Sequence, residues 1–136
     1  MDSLTHRAVD NVTSSVFQNL EDQHDWTSLE NCTLPGLVRP LIQGLPPRLL
    51  YLHPDDQIAA LALEKTTGTK MKQYSELEWV LPVHISEKWS LARFAAVFDI
   101  IPHRQRAKRI VLATLHNDST VVYYLLHEGM IKPRQN

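Results

Sequence analysis

The side chains in this sequence that could do chemistry are seven histidines, one cysteine, a pair of adjacent carboxylates and a run of closely spaced cations. The histidines (His6, His24, His53, His84, His103, His116 and His127) are scattered, and none stands at i, i+4 with a nearby Glu or Cys. The ligand spacing that zinc demands is missing, and no metal is expected. Cys32 follows Asn31 in a polar stretch with no neighbouring base to draw off its proton, which describes an inert thiol. Asp55 and Asp56 follow Pro54 where a helix begins, and facing the helix dipole is sufficient reason for them. Gly-x-Ser-x-Gly does not occur, and Thr66–Tyr74 carries Gly68 alone where a phosphate-binding loop needs two glycines and a Gly-Lys-Ser/Thr end.

The cations are more suggestive. Arg104, Arg106, Lys108 and Arg109 fall within six residues with no acid among them. Such a run is either a solvated connection or a surface for phosphates, bound without sequence specificity. No aromatic ring is interleaved with it, so base stacking has no local support. The chain as a whole is not basic: Lys and Arg total 14 against 15 Asp and Glu, a formal net charge of −1, which excludes a generally basic nucleic-acid coat.

The elements that must position these groups follow from the apolar pattern. Val9, Val12, Val16 and Leu20 recur at helical spacing, with Phe17 beside them and Ser3 or Thr5 able to cap. This predicts an amphipathic helix from about Leu4 to about Gln23, with Trp26 and Leu29 extending it or packing just after it. Residues 33–54 hold Pro35, Pro40, Pro46, Pro47 and Pro54 among apolar residues. That mixture predicts an extended segment packed on a core rather than a long helix or a central strand. Leu49–Leu52 reads as a short strand, and Asp55 or Asp56 starts a helix through Ile58, Leu61 and Ala62. Trp79–Val83 reads as a strand in which Pro82 marks an edge or an end. Ser86 or Ser90 caps a helix with Leu91, Phe94, Ala95, Phe98 and Ile101 on one face, stopped by Pro102. Ile110–Leu115, the turn Asn117-Asp118 and Thr120–Leu126 form an antiparallel hairpin, and Met130-Ile131 offers one more pairing.

With 136 residues, 43% hydrophobic and 21% charged, the chain suits one compact domain, read as an N-terminal helical segment (1–32) and an α+β remainder (33–136). A single cysteine excludes an internal disulfide framework and fits a reducing compartment. No apolar run approaches the ~20 residues of a membrane span, and residues 1–10 are unlike a signal peptide.

Three blocks carry a family resemblance. KRIVLATLHNDSTVVYYLLHEGMIKPRQ (Lys108–Gln135) resembles the C-terminal part of the small, non-catalytic Sen-fifteen subunits of eukaryotic tRNA-splicing endonuclease. GLPPRLLYLHPDDQI (Gly44–Ile58) and EWVLPVHISEKWSLARFAAVFDIIP (Glu78–Pro102) resemble the fungal members, so the likeness spans roughly residues 40–135. It implies the nuclease-like α+β domain of the tRNA-intron endonucleases, a mixed sheet flanked by helices. It also implies a heterotetramer of two catalytic and two structural subunits, in which this subunit pairs with the catalytic subunit for the 3′ splice site and meets precursor tRNA through the complex. No cofactor is implied. The compartment implied is the nucleus, or the cytosolic face of the mitochondrial outer membrane in some yeasts. Catalytic members of the superfamily use a Tyr, a His and a Lys without metal. Lys108 stands near the place of the family lysine, but His84 and Tyr74 have the wrong surroundings, so no catalytic residue is expected. Two other classes stay open: a metal-free RNA endonuclease, if His84, Tyr74 and Lys108 converge, and a free-standing RNA-binding module using Arg104–Arg109.

The last hairpin is where an interface is expected. Val121, Tyr123 and Leu125 fall on one face of the final strand and Val122, Tyr124 and Leu126 on the other, so both faces are apolar. One face can pack on the chain's own helices. The other needs a cover, supplied by the N-terminal helix, by the proline-rich segment, or by another subunit built on this strand with Met130 and Ile131. Without that subunit the exposed surface favours a two-fold homodimer. The resemblance adds Asp118, whose turn in structural subunits reaches across the tetramer; a turn-forming role is the alternative.

Overall fold

The structure, a computed structural model, describes residues 3–48, 50, 61–62, 65–66, 68, 76–102 and 108–131. In chain order they form α1 (Ser3–His24), β1 (Thr27–Cys32), β2 (Leu41–Leu45), β3 (Glu78–His84), α2 (Leu91–Ile100), β4 (Arg109–Leu115), β5 (Val121–His127) and a short α3 (Glu128–Ile131). The strands make one five-stranded mixed sheet in the order β1-β2-β3-β4-β5. Every neighbouring pair is antiparallel except β3 and β4, which run parallel across the α2 crossover. The architecture is α+β. All of the expected strand at Leu49–Leu52 except Leu50, most of the helix after Asp55, and most of the polar stretch to Tyr74 lie outside the described residues.

The sheet is covered on both faces because its strands alternate. Ile42, Val80, Val111 and Ala113 point to one face and meet Val12, Val16 and Leu20 of α1 together with Trp26. Leu41, Trp79, Leu81, Val83 and Ile110 point to the other and meet Val97 and Phe98 of α2 together with Ile101. Ser90 is the N-cap of α2: its hydroxyl oxygen accepts from the Arg93 N–H at 3.2 Å. Leu91, expected on the buried face of that helix, is 62% exposed; the residues the helix buries are Val97 and Phe98.

Two strands depart from the expected pattern. β1 has no counterpart in the apolar spacing: its sequence, TSLENC, is mostly exposed, and backbone pairing with β2 makes it a strand. β2 lies inside the sheet although prolines surround it. Pro40 and Pro46 bracket its five residues and remove no ladder donor within them. Just ahead of it, Leu34-Pro35-Gly36-Leu37 closes a tight turn with Gly36 at φ 91° and the Leu37 N–H on the Leu34 carbonyl at 3.1 Å. A Cβ on Gly44 would come within 2.5 Å of Leu29 Cδ2 and 3.1 Å of Trp26 Cε3, so the strand's backbone is the floor on which these two side chains lie.

Pro82 sits in β3, the middle strand, not at an edge. The register explains why this is tolerated. β2 pairs β3 only at Glu78, Trp79 and Val80, so the β2-side backbone beyond that point is unpaired by strand. The Pro82 carbonyl faces that side and accepts from Arg39 Nη1 at 2.8 Å. In an extended residue the N–H and the carbonyl share a side, so the missing donor costs no ladder bond. Arg39 also holds the Glu87 carboxylate, which accepts from the His84 N–H at 2.6 Å, and this straps the proline-rich segment to the end of β3.

Candidate subunit interface

β4 and β5 form the expected antiparallel hairpin, in register from Arg109↔His127 to Leu115↔Val121 without a break. The turn is closed by the His116 N–H on the Thr120 carbonyl (2.8 Å) and the Ser119 N–H on the His116 carbonyl (3.0 Å). The Asp118 carboxylate accepts from the Thr120 N–H at 3.1 Å and from its hydroxyl at 2.6 Å. These bonds hold the Asp118 carboxyl below its ordinary range. Asp118 is exposed and forms the turn with its own neighbours.

The two faces of β5 are treated differently. On the α1 side, Val121, Tyr123 and Leu125 are half-buried against the core. The Tyr123 hydroxyl donates to Asn19 Oδ1 at 2.6 Å, its ring meets His24 edge-on at 5.1 Å, and burial pushes the phenol well above its usual range. On the α2 side only Leu126 is packed on the core, joined by Ile131. Val122 is 36% exposed and Tyr124 52% exposed on that face, and Met130 just beyond is 61% exposed. Thus α1 covers one apolar face of the last strand, and α2 leaves most of the other uncovered. Met130 and Ile131 add no strand pairing; they lie in α3, which turns the chain off the end of β5.

Beside β5, on the α1 side, lies a groove of about 340 Å³ lined by Leu20, His24, Trp26, Leu50, Val111, Tyr123, Tyr124 and Leu125. Among the described residues, β5 ends the sheet on this side. At the opposite edge β1 carries a register shift between Thr27 and Glu30, with Ser28 at φ 53°.

The basic run is divided by the fold. Arg104 and Arg106 lie outside the described residues. Lys108 Nζ donates to the Phe98 carbonyl at 2.6 Å, closing the C-terminal end of α2. Arg109 is 4% exposed and its guanidinium grips Glu78, which is fully buried, with Nε 2.9 and 3.0 Å from the two carboxylate oxygens. Its Nη2 reaches Glu78 as well as Glu76, the latter at 3.0 Å. A buried guanidinium already holding two carboxylates is not presented to a phosphate. Burial pushes the Glu78 carboxyl up against the pull of Arg109. Burial and then the Arg109 charge lower the pKa of His127, the register partner of Arg109. The signal for this cluster was two acids on alternate residues at a strand start and a cation at another, separated by 31 and 33 residues.

The possible catalytic trio does not gather. His84 pairs with Leu115 at one end of the parallel ladder, and its Nδ1 contacts the Ser86 hydroxyl at 2.6 Å. Lys108 precedes Arg109, the first residue of β4, six residues before Leu115. At about 3.3 Å per residue the two lie roughly 20 Å apart along the strands. Tyr74 lies outside the described residues.

Comparison with known proteins gives the context for this geometry. The family model described as Sen15 protein matches residues 15–136. The probable tRNA-splicing endonuclease subunit tsp-1 of Neurospora crassa is 47% identical over 146 residues, covering 92% of this chain and 66% of that protein. The tRNA-splicing endonuclease subunit SEN15 of Eremothecium gossypii is 30% identical over 129 residues, covering 92% of this chain and 91% of that protein. The probable subunit sen15 of Schizosaccharomyces pombe is 34% identical over 73 residues, 45% of this chain and 51% of that protein. The chain therefore spans just under two thirds of the Neurospora relative and nearly all of the Eremothecium one. The match runs from the middle of α1 through α2 and all five described strands, and on that extent the chain belongs to the Sen15 protein family.

Proposed function

We propose that this chain is a non-catalytic, structural subunit of a tRNA-splicing endonuclease. It pairs through its last hairpin with the catalytic subunit that cuts the 3′ splice site, and so supports intron excision from precursor tRNA. The observation that carries the reading is the uncovered Val122, Tyr124 and Met130 surface on a chain whose relatives are named as subunits of that enzyme. The separation of His84 from Lys108 supports the non-catalytic part. Acid–base cleavage of RNA needs its acid, base and charge-stabilising cation at one phosphate, and these two groups sit at opposite ends of β4. In isolation the same surface pairs with its own copy as a two-fold dimer. RNA phosphates are met through Arg104 and Arg106, and the complex works in the nucleus.

The test has two arms. The purified chain, in chelator, is incubated with an intron-containing tRNA precursor, and no site-specific cleavage is expected; cleavage abolished by Lys108→Ala would overturn the non-catalytic reading. The chain is then co-expressed with the catalytic 3′-splice-site subunit, and co-purification as a stoichiometric complex is expected, together with a dimer by light scattering for the chain alone.

A further inference from the structure

The groove between the last turn of α1 and β5 combines two kinds of surface. Its apolar lining includes Leu20 of α1, Val111 of β4 and Leu125 of β5. Trp26, His24 and Tyr123 add rings, and the last two meet edge-on at 5.1 Å. A volume of about 340 Å³ lies at the lower end of the range that holds small ligands, about 300–1,000 Å³.

The helix end beside the groove carries charges of the unfavourable sign. Backbone carbonyls leave a helix C-terminus partly negative, which favours Lys or Arg in the last turn. α1 has neither there: His24 is its basic residue, Glu21 and Asp22 precede it, and Asp25 follows. Glu21 is one residue past Leu20 and three before His24, so it borders the helix surface that these two groove residues occupy. Asp25 is held at φ 58°, and the Trp26 N–H closes back on the Leu20 carbonyl at 3.0 Å, which fixes this corner. Glu21, His24 and Asp25 are all exposed. Among the described residues the ion pairs join Arg39 to Glu87 and Arg109 to Glu76 and Glu78, so neither carboxylate at the corner takes part in one.

This combination selects its ligand. Carboxylates and a negative helix end repel phosphate, which excludes a nucleic-acid backbone. A metal ion needs several ligands at once, and no such group of His, Cys, Asp or Glu gathers among the described residues. A polyamine repeats its charge along its length and would bury one against the apolar lining. An arginine side chain has the matching order: an alkyl stem that lies along apolar surface and a single planar cation at its tip. The guanidinium stacks on aromatic rings, and its fork bonds carboxylates and the last carbonyls of a helix.

We infer that the groove between α1 and β5 is a binding site for an arginine side chain of a partner protein. The stem lies on Leu20, Val111 and Leu125, and the guanidinium lies at His24, in reach of Glu21 and Asp25. The site needs no strand pairing, and it does not depend on the reading of the last hairpin as a subunit surface.

The full chain, isotopically labelled for NMR, is titrated at low salt with the tripeptide acetyl-Ala-Arg-Ala-amide. Saturable shifts are expected at the methyl groups of Leu20, Val111 and Leu125 and at the amides of residues 20–26. The same peptide with norleucine in place of arginine is expected to bind about fivefold more weakly or worse. Two variants, each checked for folding by circular dichroism, test the corner. Glu21→Gln with Asp25→Asn is expected to weaken the arginine peptide about threefold to tenfold and to leave the norleucine peptide unchanged. His24→Lys gives the helix end a cation of its own and is expected to abolish saturable binding of the arginine peptide while raising the Tm. Norleucine binding as tightly as arginine would overturn the site. So would arginine shifts centred on other exposed acids such as Glu30, or both variants binding as the parent does. Spermidine that saturates the same residues at lower concentration than the arginine peptide would overturn the assignment of the occupant to a protein.

Discussion

The sheet has two edges, and they are built on opposite principles. At the β1 edge the ladder is interrupted between Thr27 and Glu30, Ser28 is held in the left-handed region at φ 53°, and Glu30 is exposed. A bulge, a kink and a charge are the means by which sheets refuse a further strand. At the β5 edge the ladder is unbroken over seven pairs, and exposed Val122 and Tyr124 flank it. Both edges belong to one sheet of one small chain, so the difference does not come from fold class or composition. It shows that the character of a sheet edge is a local property, set by a few residues.

The largest expected effect tests what holds the β5 edge in place. Arg109 begins β4, and its grip on Glu78 ties β4, the strand that β5 pairs with, to β3. Arg109→Met leaves Glu78 buried without its partner and is expected to cost about 3–5 kcal/mol of stability in urea unfolding at pH 7. Because burial already pushes the Glu78 carboxyl up, acidification neutralises it early and the deficit of the variant shrinks as pH falls. A deficit that is small at pH 7, or constant with pH, would separate the β5 edge from this cluster. The matching change at the sealed edge, Glu30→Gln, is expected to stay within about 0.5 kcal/mol.

Next comes association. Tyr124→Asp places a charge on the exposed face of β5 and is expected to yield a folded monomer whose affinity for the catalytic subunit falls by about a hundredfold or more. Asn31→Asp on β1 should leave both affinity and oligomeric state unchanged. Equal losses at the two edges would break the contrast between them. A smaller effect sharpens the sealed side: Ser28→Val puts a β-branched residue at φ 53° and is expected to cost about 1–2 kcal/mol, read as a lowered Tm. The smallest effect lies at the far end of β5. His127 titrates below its ordinary value of about 6.5, so on acidification the unfolded chain takes up this proton first, and stability is lost between that value and the lower folded one. His127→Gln removes this contribution, so the Tm of the variant should gain on that of the parent as pH falls from 7 to 5.

Much of this was legible in the residues. The spacing of Val12, Val16 and Leu20 predicts α1 to within a residue or so of its observed Ser3–His24, and the apolar runs on either side of Asn117-Asp118 predict the hairpin and its turn. These signals are local and periodic. What escaped is not periodic. β1 is a strand because β2 supplies its hydrogen bonds, not because TSLENC alternates. Pro82 reads as an edge marker until the register shows that β2 ends before reaching it. Arg109 reads as one of four surface cations, because the acids that draw it inside are more than thirty residues away in the chain. The apolar strand with two faces was visible; which face α1 covers depends on packing, and no spacing rule carries that.

The hydrogen bond from Tyr123 to Asn19 joins residues 104 positions apart. Its consequence is kinetic. The chain must bring its first helix and its last strand together before that contact forms, and contacts of such long sequence separation close slowly because the intervening loop entropy is lost first. Until β5 docks, the Val16 and Leu20 stripe of α1 lacks part of the surface it covers in the native state, and the folding chain carries an exposed apolar helix alongside an unfinished sheet. Another subunit docked on the last hairpin would stabilise the nearly folded chain at its slowest-closing seam, so folding yield should rise when the partner is made at the same time.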